Sequence, residues 1–338
     1  MKNNILISLS SLVVIIAGLK YSAPILTPFL LAIFITIIIT PPLFWLYEKN
    51  IPKPLAMAIL IVGVSLFGIL ITLFVGSSIN TFTDNLPEYQ ANLKGQTAHL
   101  LTWLSSNGVE ISNKTFFKYL NPSQAMDMVG VALSSLKLIL TNTFFIIFTV
   151  IFMLIEATQL PLKLKYILRD SEVSVDSFSE FLKSVKDYLA IKTYVSLATA
   201  ILVSIFLYIL GVDFALLWGL VTFLLNYIPN IGSIMAAIPP ILMALIQGNP
   251  TTAFIVAIGY IVINIVMGNI IEPKFMGDGL GISPLVVFLS LVFWGWILGA
   301  TGMFLSIPLT IMIKIALSHN EKTEWISILL GNNSDLES

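Results

Sequence analysis

Apolar residues fill this chain in long blocks, and the blocks have the lengths of helices that cross a bilayer. A helix needs about 20 apolar residues to traverse about 30 Å of hydrocarbon. Residues 5–19, 25–47, 55–75, 138–155, 194–210 and 252–271 form six such blocks. Lys20 can snorkel at the end of the first, and Trp45 and Tyr47 stand where an interfacial aromatic belt would place them. Pro41-Pro42 predicts a kink in the second. Two further apolar regions are cut in two. Residues 214–247 are interrupted by Asn226-Tyr227-Ile228-Pro229-Asn230-Ile231-Gly232, and residues 284–313 by Gly295-Trp296-Ile297-Leu298-Gly299-Ala300-Thr301-Gly302. Each half has about 15 residues, or about 22 Å of helix, too short to cross comfortably.

The interrupted regions flank a full span, and two folds satisfy them. Either both are hairpins that dip into the membrane, or they are four ordinary short spans with proline kinks; both leave the C-terminus on the same side. Irregular backbone at membrane depth is tolerated only where it is buried or lines a wet cavity. Paired short segments of this kind are the best sequence pointer to a transport site. The predicted fold is therefore an all-α polytopic membrane protein, with about six full transmembrane helices, two broken or re-entrant helical hairpins and a soluble helical insert.

Polar stretches divide the chain. Residues 1–79 hold the first three spans. Residues 80–137 carry eight charges, four of each sign, with Leu93, Leu100, Leu101 and Leu104 at roughly helical spacing, and read as a water-facing amphipathic insert. Residues 138–155 are the fourth span. Residues 156–192 are the most charged stretch, with Phe178, Phe181, Leu182 and Val185 on one face of a linker helix. Residues 193–316 form the core and 317–338 a tail. Lys49 and Lys53 in one turn, and six basic residues in 156–192, fall on the same side; Lys2 and Lys314 agree. Lys and Arg collect on the cytoplasmic side, so both termini are expected there and the insert outside. The chain begins like a signal peptide, but no small-x-small cleavage site follows, which predicts a retained first span.

Composition narrows the function. Hydrophobic residues make up 57% and charged residues 10%, against about 25% charged in an ordinary soluble domain. The mean hydropathy is +0.96. A water-soluble enzyme is excluded. With 17 basic and 18 acidic residues there is no basic footprint for nucleic acid. No cysteine and only two histidines, His99 and His319, exclude thiolate and histidine-rich metal sites. No HExxH, GxSxG, P-loop or GxGxxG pattern occurs. No enzyme activity, cofactor or metal is expected, and nothing points to an ATP-driven pump; a secondary transporter or channel remains.

From residue 194 to 313 the charges are Asp213, Glu272, Lys274 and Asp278. Glu272 is the sharpest candidate. It ends a long apolar span, and in an α-helix Asn269 and Asn264 share its face. Intramembrane carboxylates are costly and serve as ion or proton sites; the alternative is an interfacial Glu paired with Lys274. Asp213 either couples ions or caps a helix in a loop. Asn226, Pro229, Asn230, Gly232 and Ser233 at the first break, and Thr301 at the second, are candidate solute contacts. A half-helix starting near Gly232 offers free N–H groups and a dipole to an anionic or hydroxyl-rich ligand; alternatively, these residues only make the turn. Gly277, Gly279 and Gly281 around Asp278, with Pro284, Gly295, Gly299, Gly302 and Pro308, are candidate hinges or gates. Gly295 and Gly299 form GxxxG, which also serves close packing. Trp294 and Trp296 suit a pore lining or a packing role, and Asn113-Lys114-Thr115 matches a glycosylation sequon.

The sequence resembles the autoinducer-2 exporter family of bacterial membrane proteins, also known as PerM-like permeases, over nearly the whole chain. The resemblance rests on Pro28-Phe29-Leu30-Leu31-Ala32 through the Pro42…Glu48-Lys49…Ile51-Pro52 turn, and on Leu210-Gly211-Val212 with the Asn226–Gly232 break. It continues in Glu272-Pro273-Lys274, Gly281-Ile282-Ser283-Pro284-Leu285-Val286-Val287 and Gly299-Ala300-Thr301-Gly302…Ile307-Pro308-Leu309. Ser283 departs from the pattern, since many relatives carry His before the proline. The resemblance implies a multi-pass transporter of the bacterial inner membrane, with export of autoinducer-2 or sodium (lithium)/proton antiport as its activities, and a homo-oligomer. A small polar solute and a proton or sodium ion are the expected ligands. The expected mechanism is alternating access in residues 193–316, with Glu272 exchanging the ion. Rivals are a passive channel, which needs no titrating carboxylate, and a membrane scaffold that binds a partner through residues 80–137.

Overall fold

The structure, a computed structural model, describes residues 2–107, 129–130, 143–157, 159, 163, 166, 175–229, 231–247, 249–276, 282–318 and 323–331. Those residues are mostly helical, with no strand among them. The chain is thus an all-α polytopic membrane protein. The helices are α1 (Lys2–Tyr21), α2 (Ala23–Glu48), α3 (Lys53–Asp84), α4 (Leu86–Ser106), α5 (Thr143–Ala157) and α6 (Val175–Ile209). They continue with α7 (Ala215–Leu225), α8 (Gly232–Ile246) and α9 (Pro250–Asn264), which runs through a π-helical stretch, Ile265–Ile271, into α10 (Glu272–Met276). Last come α11 (Pro284–Leu298), α12 (Ala300–Ser318) and α13 (Glu324–Leu330).

Among the described residues, five segments are long and apolar enough to cross a membrane: Ala23–Glu48, Lys53–Asp84, Val185–Ile209, Pro250–Phe275 and Ala300–Ser318. Four match blocks expected from the sequence. The fifth is the second half of an interrupted region, which proves long enough to cross alone. α1 has 20 residues, and α5 is described over 15. α3 does not stop at the end of its apolar block but extends as one 32-residue helix to Asp84. α6 likewise runs unbroken through residue 192, where the sequence suggests a boundary between linker and core.

The first interrupted region is a short hairpin. α7 spans 11 residues, about 16 Å, and α8 spans 15. Its base is stitched: the Asp213 N–H donates to Gln247 Oε1 at 3.2 Å, and Gln247 Nε2 donates to the Gly211 carbonyl at 3.4 Å. Its tip is tight because Gly232 abuts Leu225; a Cβ there would lie 1.8 Å from the Leu225 carbonyl oxygen.

The second interrupted region is a hairpin with a much smaller break than the eight residues expected. α11 continues to Leu298, and Gly299 alone turns the chain, with φ +67° and ψ −147°, a region open to glycine. The arms touch where Gly302 meets the Trp294 carbonyl oxygen, 1.9 Å from a built Cβ. Gly295 faces the Met303 side chain. Inside the hairpin, the Ser290 hydroxyl donates to the Ser306 carbonyl and meets the Thr310 hydroxyl, while Trp294 Nε1 donates to Thr310 Oγ1 at 3.2 Å. Lys20 Nζ lies 3.7 Å from the Trp296 ring centroid, which sets this tip level with the α1–α2 turn. The two hairpins therefore differ in length: the arms of the first have 11 and 15 residues, those of the second 15 and 19.

The two largest of four apolar clusters hold most of the core. One joins Val203 and Leu207 of α6 to Leu217 and Trp218 of α7, Met243 of α8, Tyr260 of α9, and Phe82, Tyr89 and Leu93 of α3 and α4. The other joins Phe34, Tyr188, Leu189, Tyr227, Leu305 and Ile311. Many other large apolar side chains of α3, α5 and α9 face outward, as a lipid-facing surface requires.

Candidate transport site

Helix α6 forms one wall of the site. Lys192, Ser196, Thr199, Val203 and Leu207 recur at steps of three and four, so they share a face. All five are buried. The face is polar from Lys192 to Thr199 and purely apolar at Val203 and Leu207. Ser196 stands near the middle of the Val185–Ile209 span.

Each polar residue of that face is partnered. Lys192 Nζ donates to Glu272 Oε1 at 2.5 Å, with the two side chains 6% and 16% exposed. Next to it, Thr193 Oγ1 accepts from the Tyr227 hydroxyl at 2.7 Å. Asn226 Nδ2 donates to Ser196 Oγ at 3.0 Å. The Thr199 hydroxyl turns back to the Val195 carbonyl. Across α7, the hydroxyl oxygens of Thr222 and Tyr260 lie 3.2 Å apart. The tip of the first hairpin thus reaches mid-span and docks by its amide and phenol onto α6. The Tyr227 ring is clasped by Phe34, Phe223 and Phe304, with centroids 5.5, 5.6 and 4.5 Å away. Phe304 belongs to α12, so Tyr227 is also where the two hairpins meet.

Glu272 comes off the π-helical stretch Ile265–Ile271. A π-helix bonds i to i+5 and takes more residues per turn, and such stretches concentrate at functional sites. Three residues, nearly a turn in an α-helix, fall well short of one there. Asn269 is consequently exposed while Met267 is buried and Glu272 is largely covered. Asn264, at the far end of the stretch, is half-buried. The single polar face expected for Asn264, Asn269 and Glu272 is not formed, because the helix changes pitch between them. Lys274 is exposed, and the partner of Glu272 is Lys192, 80 positions earlier.

Asp213 lies at the opposite end of α6. It does not cap α7, whose N-cap is Phe214 in the left-handed region at φ +60°. Its Oδ2 accepts from the Tyr89 hydroxyl at 2.8 Å, and its carbonyl accepts from Trp218 Nε1 at 2.9 Å. Gln96 Nε2 adds a bond to the Leu245 carbonyl at 2.7 Å. Asp213 is therefore a latch between α4 and the base of the first hairpin. Burial, together with the hydrogen bond and charge of Asp213, pushes the Tyr89 phenol up to about 12, although Asn85 acts in the opposite sense. The raised value means the hydroxyl's contribution is complete below pH 10 and lost as the pH rises towards 12. Tyr89→Phe is expected to lower stability by about 1 kcal/mol, read as a lower thermal midpoint and faster proteolysis within α4. No change in either would sever the latch from stability.

Of the other expected contacts, Pro229, Ser233 and Thr301 are half-buried and Gly232 is buried against Leu225. Pro284 begins α11 and Pro308 lies inside α12. Asn230, Gly277, Gly279 and Gly281 lie outside the described residues. Ser283, the departure from the family pattern, caps α11: its hydroxyl accepts from the Val286 N–H at 3.3 Å. Lys192, Thr193, Ser196 and Tyr227 are the site residues that sequence reasoning missed. The three-residue spacing of Thr193, Ser196 and Thr199 is the signal that could have found Thr193 and Ser196.

Comparison with known proteins places this arrangement. The pattern of the family described as AI-2E family transporter matches residues 9–322. The AI-2 transport protein TqsA of Escherichia coli (strain K12) is 40% identical over 328 residues, covering 97% of this chain and 95% of that one. A Haemophilus influenzae relative is 39% identical over the full length of both chains. YhhT of Escherichia coli (strain K12) is 35% identical over 97% of this chain and 94% of its own. The chain belongs to the AI-2E family of transporters, and is thus a multi-pass bacterial membrane protein that transports a small solute.

Proposed function

We propose that this protein is a secondary transporter of the inner membrane. It moves a small polar solute, autoinducer-2 being the one that the name of TqsA suggests, by alternating access coupled to a proton or sodium gradient. The carrying observation is the short hairpin docked on the polar face of α6 beside the Lys192–Glu272 pair. The hydroxyls and amide of Thr193, Ser196, Asn226 and Tyr227 suit a hydroxyl-rich solute, because each bond they make to one another can be exchanged for one to a ligand. Glu272 is the ion-exchanging carboxylate, since its pairing with Lys192 is the charge-dependent contact at that site.

The orientation follows from charge. Lys192 and Glu272 belong to the cytoplasmic end, with both termini, and Asp213 and the insert to the outer end. The packing of α4 on the Asp213 end of the first hairpin supports this, as both are assigned to the same face. Assembly into a homo-oligomer is part of the same reading.

The test is flux in proteoliposomes under imposed proton or sodium gradients, with autoinducer-2 as the probe. Glu272→Gln is expected to lower gradient-driven flux about tenfold or more and to leave downhill flux less affected. Gradient-driven flux that survives the substitution would point to a passive path instead.

A further inference from the structure

Lys192 has no place in the transport reading so far except as a partner. Its side chain is 6% exposed, little for a charged group. The groups facing Glu272 from α6 are its ammonium and the Tyr188 phenol, with Tyr227 beyond Tyr188; Lys274, on Glu272's own helix, is exposed. One carboxylate therefore faces one cation in a setting of low dielectric. A second cation at Glu272 would leave two positive charges against one negative, which such surroundings do not stabilise. Either the carboxylate is closed to alkali cations, or the ammonium gives way. Lysine is suited to give way. It is a compact point charge on a flexible four-carbon stem, whereas arginine would hold the carboxylate with a rigid fork. Lys192 also stands in the part of the Val185–Ile209 span nearer Val185, so its stem can snorkel towards that end when displaced.

We propose that Lys192 is a tethered counter-ion: its ammonium holds the Glu272 carboxylate in the place that a transported sodium or lithium ion takes. Cation binding is then an exchange against the protein's own lysine, and Lys192 sets the cation affinity of the site. This rests on the reading of Glu272 as the ion-exchanging carboxylate. The buried site stays neutral when the ion is absent, and the lysine returns when the ion leaves.

The experiment titrates the thermal midpoint of the purified full-length protein in detergent with sodium chloride against choline chloride at equal ionic strength. Lithium chloride serves as a second probe. Wild type is expected to respond only at high sodium. Lys192→Gln, left with an unpaired carboxylate, should respond at about a tenfold lower concentration and recover stability as sodium takes the ammonium's place. Glu272→Gln should lose the cation-specific response. Lys192→Arg should need more sodium than wild type. If Lys192→Gln binds sodium like wild type while Glu272→Gln abolishes the response, the counter-ion role is overturned and the Glu272 reading stands. If no variant responds to sodium or lithium, yet Glu272→Gln still stops proton-driven flux, the same conclusion follows. If Glu272→Gln leaves driven flux intact, both fall. Should Lys192→Gln not fold in either salt, Lys192→Arg decides: sodium binding as tight as wild type, or tighter, overturns the proposal.

Discussion

In sodium-free buffer, replacing Lys192 by Met is expected to destabilise the protein by about 3 kcal/mol, because it strands the Glu272 carboxylate. The low end of the range for broken buried pairs applies, since Glu272 keeps 16% exposure. The double change Lys192→Met with Glu272→Gln should restore most of that loss. Removing both partners eliminates the desolvated charges together, and a buried pair is often no more stable than apolar groups of the same volume. Thermal unfolding in detergent measures the three species. A double variant as unstable as the single one would mean that the pair is net stabilising, and that neutral groups do not pack in its place. A single variant as stable as wild type would mean that water already reaches the carboxylate.

Gly232→Ala is expected to be nearly as damaging, at about 3 kcal/mol, although it adds one methyl group. That methyl would overlap the Leu225 carbonyl oxygen, 1.8 Å away. Backbone cannot rotate aside as a side chain can, so α7 and α8 must separate at the tip. Asn226 and Tyr227, which sit on that tip, would move off Ser196 and Thr193. Transport should therefore fall together with stability. Gly76→Ala is the control. No atom lies within 4 Å of its built Cβ, and the position is inside α3. There the methyl should be neutral or stabilising by up to about 1 kcal/mol. Equal effects at the two positions would refute the close-approach explanation.

These residues show where the sequence speaks and where it is silent. The apolar blocks and the Asn226–Gly232 break are local signals, and the structure has helices and a turn at those places. The break expected at residues 295–302 shrank to Gly299, because glycine there serves two ends that look alike in sequence. One glycine turns the chain, while Gly295 and Gly302 let the arms approach. Asn269 was placed on the face of Glu272 by α-helical arithmetic, and the π-helical stretch changes that arithmetic. No residue in Ile265–Ile271 announces the pitch. Lys192 ends the charged stretch 156–192, and nothing local sets it apart from the other lysines there. Its partner is 80 residues away, so the pair exists only once α6 and α10 are packed. Asp213 was legible as a loop residue, but its bond to Tyr89 depends on how α4 folds back.

The change of character along α6 has an electrical consequence. Buried hydroxyls and amides run from Lys192 to Thr199, and beyond them the Ser204 hydroxyl lies against Gly219 of α7. Over the next two turns the face carries Val203 and Leu207, sealed by Leu217 and Trp218, none of them exposed. A proton cannot hop where no oxygen or nitrogen can receive it, and water does not fill a close-packed apolar layer. At this level of α6 and α7 the polar path is thin, and Ser204 is the hydroxyl that remains at the Gly219 contact. The side chains that interrupt the polar path are therefore a valine, two leucines and a tryptophan, far from the charged pair.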